Sequence, residues 1–553
     1  MATESFFSNA SLAYLASAGA GKDGKTYSIK PTDGSGDFTF SRGSNLAATR
    51  VGPTGLIEKG RENLFAYSND FSQWVSINTT ETGGQTGYDG SSDAWLLTKT
   101  NANGRIYQSI SSSGVRSISI YAKAGTLDWV RLQVIDAINN PNVFFDLQNG
   151  VIGVNAGANY VDSSIESIGT DGWYRLRITF DKAITLFNIY PAEGDEDTSG
   201  TSGSIYIQDA QLEQGLAATD YIESGATTGK AGLLEDEPRF DYSGGATCPS
   251  LLLEPSRTNV WKYSEYLEYS FASVTNITTT QNTTETLSPE GLYNATKLEG
   301  VSTWGLRDFI TGTNTGTYTI SCWVKAVNAS SNNTFRLSVG GNNFSSNLTA
   351  TSEWQRFDFS VTDGGATAAG ISRDSSANDA DLYIYGMQIE EGSYPTSYIP
   401  NHSGGSVTRG LDAMNNSSLG LTDCTFFVDF VPLSSVMGLL DFYDNSNAMI
   451  FYIAINSVKY LQFNGVQGGT IGSVLGPLTI GDRYKLAFTL NASTGDVTIF
   501  VNGTKYGTYS TTISSLNKIF QVSSFGYYNN TEFNQILTFG EILSDADCIT
   551  LTT

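Results

Sequence analysis

Two pairs of acidic residues stand close enough in the chain to act as general acid and base: Asp209 with Glu213, and Glu390 with Glu391. Cutting a glycosidic bond takes two carboxyls, roughly 5–9 Å apart, one to protonate the leaving oxygen and one to attack or activate water. Both pairs, however, fall on a duplicated segment. Two identical active sites in tandem are a poorer explanation than one structural role used twice. Nucleophilic catalysis through serine or cysteine needs a positioned base, usually histidine. The chain has one histidine, His402, read as a solvated linker residue. A histidine-based zinc site fails for lack of ligands. The four cysteines form no C-x-x-C pair; Cys322 is read as a small buried hydrophobe, and Cys424 and Cys548 as unbridged. Aromatic side chains that can stack on sugar rings include Trp74, Trp95, Trp129 and Trp304. The loop Tyr527, Tyr528, Asn529, Asn530 adds amides to such rings and is the candidate glycan contact. Trp173 and Trp354 each open a strand and are assigned to the core.

The elements that position these residues are two copies of one pattern. "LIEKGRENLFAYS" opens the first and "LLEPSRTNVWKYS" the second, so Leu56, Glu58, Arg61, Asn63, Tyr67 and Ser68 recur as Leu252, Glu254, Arg257, Asn259, Tyr263 and Ser264. "SISIYAKA" answers "TISCWVKA", and "GWYRLRITF" answers "EWQRFDFSV". "IYIQDAQLEQGLAATDYIES" answers "LYIYGMQIEEGSYPTSYIPN". The second copy is shorter by about 25 residues, as expected when loops contract between retained strands. Arg61 with Glu213, and Arg257 with Glu390, stand at opposite ends of each copy. Together with Asn63 and Asn259 they are expected to form a network tying the ends together. Glu213 and Glu390 are also the natural ligands for a structural calcium, but calcium wants several oxygens and only one or two can be named per copy. No other cofactor is expected.

Short alternating segments bounded by Gly, Asn, Ser and Thr predict strands and turns throughout, hence an all-β chain of tandem antiparallel sandwiches of the jelly-roll kind with a short N-terminal arm. The expected divisions are an arm at 1–55, a first repeat at 56–224, a connector at 225–251, a second repeat at 252–401 and a third sandwich at 402–553. In the last, "VNGT" predicts a tight hairpin and Ser544 caps a terminal helix. The formal net charge of −24 argues against nucleic acid and anionic membrane as partners. No apolar run is long enough to span a bilayer, and the N-terminal "SLAYLASAGA", with no basic residue before it, is read as retained.

The order "YKLAFTLNASTGDVTIFVNGTKYGTY", one further strand, then "ILTFGEILSDADCITL" resembles the laminin-G/concanavalin A-like jelly roll, with Asn502, Gly503, Leu543, Ser544 and Asp547 at that family's marker positions. The duplicated unit resembles carbohydrate-binding-module-like jelly rolls, through its opening "N-L-x-x-S"-type segment and its closing "Q-L/I-E-x-G". "YSIKPTDGSGDFTFSRGSNLAATRVGPTGLIE" resembles the opening of many tailed-bacteriophage virion proteins. These resemblances imply a non-enzymatic fibre, spike or capsid-decoration protein on the virion surface, assembled in the host cytoplasm. Its partners would be other virion proteins, further copies of itself (a trimer first) and host-surface glycans. A polysaccharide-degrading tailspike using paired carboxylates, or a secreted carbohydrate-binding adhesin, are the alternatives. The arm at 1–55, with "TYSIK" and "DFTFSR" able to add strands to another sheet, is expected to be the anchor to a neighbouring subunit.

Overall fold

In Phe38–Ser41 the two phenylalanines are buried and the two hydroxyl residues exposed, the two-residue period of a strand lying on a core. That pattern recurs along most of the chain, and the fold is all-β. Helix is confined to short pieces such as Ala2–Asn9 and Asp545–Thr552. The computed structural model describes residues 2–43, 46–135, 140–157, 159–267, 273–309, 316–328, 333–340, 343–363, 368–373, 381–417, 419–443, 446, 448–465, 469–513, 515–516, 518–520 and 530–553.

The first repeat is a sandwich of two six-stranded antiparallel sheets. One runs Tyr160–Ile168, Trp173–Asp181, Val115–Ala124, Gly203–Gln214, Ala94–Lys99, Thr79–Gln85. The other runs Val151–Ala156, Asn142–Asp146, Trp129–Ile135, Ile184–Ala192, Arg105–Ser112, Val75–Ile77. Phe65, Ile118, Leu132, Leu176, Phe187 and Ile207 fill the space between them. The second repeat keeps the central trio: Gly316–Ala326 lies between Gln355–Asp363 and Leu382–Glu391. Its long strand Thr296–Phe309 joins both layers, pairing with Leu382–Glu391 at one end and Ala368–Arg373 at the other. Ile120 and Cys322, which answer each other in the repeat, are both fully buried.

The third sandwich draws on more of the chain than its expected 402–553. Leu12–Leu15 pairs with Thr531–Phe539, and Phe38–Ser41 pairs with Ala413–Asn416. Tyr14, Phe38 and Phe40 sit in its core with Phe426, Phe442, Phe488 and Ile536. The N-terminal segment therefore does add strands to another sheet, but that sheet belongs to its own chain. The expectation of an arm ordered by a neighbouring subunit is corrected accordingly. Leu12–Leu15 and Phe38–Ser41 are paired within the chain, while Gly21–Lys22 ends the nine-stranded sheet. The hairpin Asp496–Val501/Thr504–Ser510 turns on Asn502 and Gly503, both at positive φ, as a two-residue turn between twisted strands demands.

The hairpins that precede the two repeats dock onto the domain beyond. Thr49–Val51 pairs with Ile57–Lys59 before the first repeat but lies against the second, where the Ile57 amide donates to the Pro289 carbonyl at 2.9 Å. Arg239–Asp241 pairs with Ser250–Leu253 before the second repeat, and Ser250–Leu253 continues into the third sandwich beside Thr531–Phe539.

Candidate functional site

Each repeat closes on the same polar lock. The Asn63 side-chain amide donates to the Ile222 carbonyl at 2.9 Å, and its oxygen accepts the Phe65 and Leu212 amides, both at 3.1 Å. Asn259 does the same with Ile399, Trp261 and Ile389, at 2.9, 3.0 and 3.1 Å. Glu213 accepts from the Thr219 amide (2.8 Å), the Thr219 hydroxyl (2.7 Å) and Gln211 (2.7 Å). Glu390 accepts from Thr396 and Gln388 at 2.8, 2.7 and 2.6 Å. Arg61 lies 3.6 Å from Glu213, and Arg257 3.7 Å from Glu390. All six residues expected in the repeat network are thus brought together, three in each copy. Their partners are backbone, hydroxyl, amide and guanidinium groups. Among the described residues no cluster of three or more His, Cys, Asp or Glu side chains is placed to hold a metal ion.

A denser network lies where the first hairpin meets the second repeat. Lys59 Nζ is 3.1 Å from Glu265 Oε1 and 2.9 Å from Glu290 Oε1, and Arg61 also pairs with Glu290. The Tyr385 hydroxyl is 3.1 Å from Glu265 and 2.9 Å from Glu290, while the Tyr398 hydroxyl donates to Glu265 at 3.0 Å. The Asn294 amide reaches Glu265 and Glu290 at 3.1 and 3.0 Å. Burial alone would push the Glu265 carboxyl up, but Lys59 and His402 together outweigh it and hold the group well below the usual range. Glu290 is lowered in the same way, against burial, by Arg61 and Lys59. His402 stands here too, 2% exposed and 3.5 Å from Glu265. It is not a solvated linker residue: the chain leaving the second repeat is held against the first, where the His402 carbonyl accepts the Val115 amide at 3.1 Å. A cavity of about 170 Å³ opens beside it, lined by Lys59, Arg61, Glu213, His402 and neighbours.

A second buried ion network joins four segments. Arg239 pairs with Glu254 at 2.7 Å and with Asp412, Arg409 pairs with Glu254 at 2.7 Å, and Arg42 reaches Asp412 at 3.4 Å. Glu254 is pulled down to about 2: burial opposes this, and Arg409 and Arg239 overcome it.

The larger cavity, about 410 Å³, opens in the first repeat. Its lining is Asn69, Tyr88, Asp89, Asp93, Tyr121, Asp209, Asp220, Tyr221 and Glu223. Tyr88 and Tyr121 stack 3.7 Å apart, and the Tyr88 hydroxyl donates to Asp209 Oδ2 at 3.0 Å. Arg175 lies over the Tyr121 ring at 5.5 Å. Asp209 and Glu213, the pair with glycosidase spacing, line different cavities and do not converge on one cleft. Glu391 is exposed while its neighbour Glu390 is buried in the lock, because adjacent strand residues face opposite ways.

Of the candidate glycan loop, Tyr527, Tyr528 and Asn529 lie outside the described residues. Asn530 is 2% exposed, so it faces the interior and is corrected from a surface contact to a buried residue. Trp173 is buried, as is Trp74, whereas Trp354 is half-buried and packs against Ile57. The open cavity escaped the sequence reading. Its one linear signal was Asp209, standing where the second copy has Gly386.

No protein-family model matches the chain, and no curated protein does. Several solved structures are similar to parts of it. The tandem CBM22 domains of Paenibacillus barcinonensis Xyn10C share 12% identity, covering 64% of this chain and 100% of that one, with a TM-score of 0.21. The CBM40 of the Ruminococcus gnavus IT-sialidase shares 13%, covering 24% and 84%, with a TM-score of 0.20. A putative carbohydrate binding protein from Bacteroides ovatus shares 12%, covering 52% and 83%, with a TM-score of 0.19. Scores this low carry no argument about ligand or activity.

Proposed function

We propose that this chain is a non-enzymatic structural protein of a phage particle, exposed at the virion surface, that binds other virion proteins and adheres to host-surface glycans. The observation that carries the non-enzymatic part is the employment of its buried acids. Glu213, Glu254, Glu265, Glu290 and Glu390 each accept two or more hydrogen bonds or ion pairs from groups that tie domain ends and linkers together. A general acid must instead keep a proton near neutral pH and face a substrate; Asp209, raised to about 7 at the first-repeat cavity, is the one acid lining either cavity that meets this condition, and its substitution is the one that tests it. The forward-docked hairpins fit the same reading, since they bind the domains to one another through buried charge. The virion setting rests on the resemblance of the N-terminal segment to phage proteins. Self-association, as a trimer first, and assembly in the host cytoplasm belong to the same proposal.

The test has two parts. Purified particles probed with an antibody to the chain are expected to carry it at stoichiometric copy number. The purified protein is expected to release no reducing sugar from host capsule, while binding to it in a pull-down. Absence from particles, or sugar release abolished by a single carboxylate substitution, would overturn the proposal.

A further inference from the structure

The open cavity of the first repeat and the Lys59 junction of the second are the same place in two copies of one domain. The closing strands fix the correspondence. The Ala210 amide donates to the Ser68 carbonyl at 2.9 Å, as the Met387 amide does to Ser264, also at 2.9 Å. Both strands bulge at this point, where the register slips between Ser119 and Tyr121 and between Ser321 and Trp323. The preceding turns match as well. The Gly87 amide donates to Ser91 and the Gly90 amide to Gly87, as Ser288 does to Leu292 and Gly291 to Ser288. By these landmarks Asn69 answers Glu265, Asp89 answers Glu290, Asp93 answers Asn294, Tyr121 answers Trp323 and Tyr221 answers Tyr398.

In the second repeat this place is filled by the chain itself. Ile57 packs among Tyr385, Tyr398, Trp323 and Trp354, and the Lys59 ammonium bridges the two glutamates. The filler comes from the hairpin Thr49–Val51/Ile57–Lys59, which opens the first repeat. Among the described residues no hairpin is seated in the first-repeat cavity, and the strands Leu12–Leu15 and Phe38–Ser41 are engaged in the third sandwich. The first-repeat cavity is lined by five carboxylates and by no lysine or arginine. Arg175, which lies over the Tyr121 ring, is hydrogen-bonded to the Thr219 carbonyl. Asp209 is 5% exposed, and the one hydrogen bond to its carboxylate among the described residues comes from Tyr88. Its backbone is left-handed, φ +53°, where the second copy has Gly386 at φ +66°. A carboxylate has been set on a bulge that glycine would occupy with less strain, and such placements concentrate at binding sites.

We propose that the cavity of the first repeat binds the lysine side chain of an extended segment of a partner polypeptide, seated as Ile57–Lys59 is seated in the second repeat. The ammonium would be met by Asp209, Asp89 and Asp93, displacing the Gln208 side-chain amide that donates to Asp89 at 3.4 Å and to Asp93 at 2.7 Å, and the apolar neighbour of the lysine would lie against Tyr88, Tyr121 and Tyr221. Burial pushes the Asp209 carboxyl up to about 7, against its bond from Tyr88 and helped by Asp93, Asp89 and Glu223. An arriving ammonium favours the ionised form, so affinity rises as pH climbs through about 7, with Asp220, Glu223 and Arg175 setting the background field.

The probe is the heptapeptide GLIEKGR, the sequence of residues 55–61, titrated calorimetrically into the full-length protein beside the same peptide with norleucine in place of lysine. One site per chain is expected, with the norleucine peptide and high salt each weakening binding by about tenfold or more. Asp209→Gly is the variant of choice because Gly386 shows that the bulge accepts glycine; it too should weaken the lysine peptide by about tenfold. Asp89→Asn gives a second reading should the first variant misfold. Equal binding of both peptides, no binding at millimolar concentration, insensitivity to both substitutions, or displacement by calcium chloride at matched ionic strength would each overturn the proposal.

Discussion

The ammonium of Lys59 lies 3.1 Å from the carboxylate of Glu265, although the two residues are 206 positions apart. Lys59 belongs to a hairpin that introduces one repeat, and Glu265 to the repeat after it. Removing either partner leaves an uncompensated charge on a buried side chain. Lys59→Met should therefore cost about 3–5 kcal/mol in denaturant unfolding, with most of the loss in the second repeat. A cost under about 1 kcal/mol would mean that the pair is no stronger than a surface ion pair.

Acid should attack the other junction. Glu254 is depressed from 4.5 to about 2 by Arg409 and Arg239 acting against burial. A lowered acid pKa stabilises the fold above its unfolded value and loses that stabilisation as pH falls through the folded one. The stability gap between the native chain and Glu254→Gln should be full above pH 4.5 and close between there and about pH 2. Unfolding midpoints measured across that window test this; a gap that does not change with pH counts against it.

Asp209 carries the opposite sign. Its folded pKa is raised from 3.8 to about 7, chiefly by burial, so the ionised carboxylate is a burden to the empty protein. The burden is absent below pH 3.8, grows as pH rises and is complete above about 7. Asp209→Asn should thus gain on the native chain as pH is raised from 4 to 8. If thermal midpoints of the two shift in parallel over that range, the carboxyl is not perturbed as described.

The N-terminal strands should be indispensable to the third sandwich. Phe40 is 1% exposed in its core, and Phe40→Ala should cost about 3–5 kcal/mol. Deleting residues 1–43 should expose residues 402–553 to limited proteolysis while the first repeat stays resistant. Retention of a resistant C-terminal fragment of full length would show that the third domain is self-sufficient.

What could be read from the linear chain was whatever the duplication wrote twice. Asn63, Glu213 and Arg61 could be matched to Asn259, Glu390 and Arg257 because each set is bound to its own copy by bonds of one pattern. The hairpin at Asn502-Gly503 was legible for a different reason: two consecutive residues at positive φ leave few alternatives to Asn-Gly. Lys59 was not legible as a ligand of the second repeat. Its counterpart there is Pro255, so the repeat itself gave no hint of its charge partner. His402 misled because a polar residue between two domains is usually wet, whereas here it is packed between Val115 and Gly215 of the first repeat and Glu265 of the second. Asp209 stood in plain view opposite Gly386. The mismatch gains meaning only once the bulge is known to need a left-handed residue.

The pairing of Leu12–Leu15 with Thr531–Phe539 fixes an order of events during synthesis. The Ser11 hydroxyl bonds to the Thr538 carbonyl across 527 positions, so the first strands must leave the ribosome long before their partners exist. Both repeats can complete their own sheets in that interval. The third sandwich cannot close until its last strand emerges, and until then the earliest strands present bare edges and unburied aromatic rings. The oldest part of the nascent chain is therefore among the last to find its place. Its window of vulnerability to mispairing with a neighbouring nascent chain lasts for most of translation.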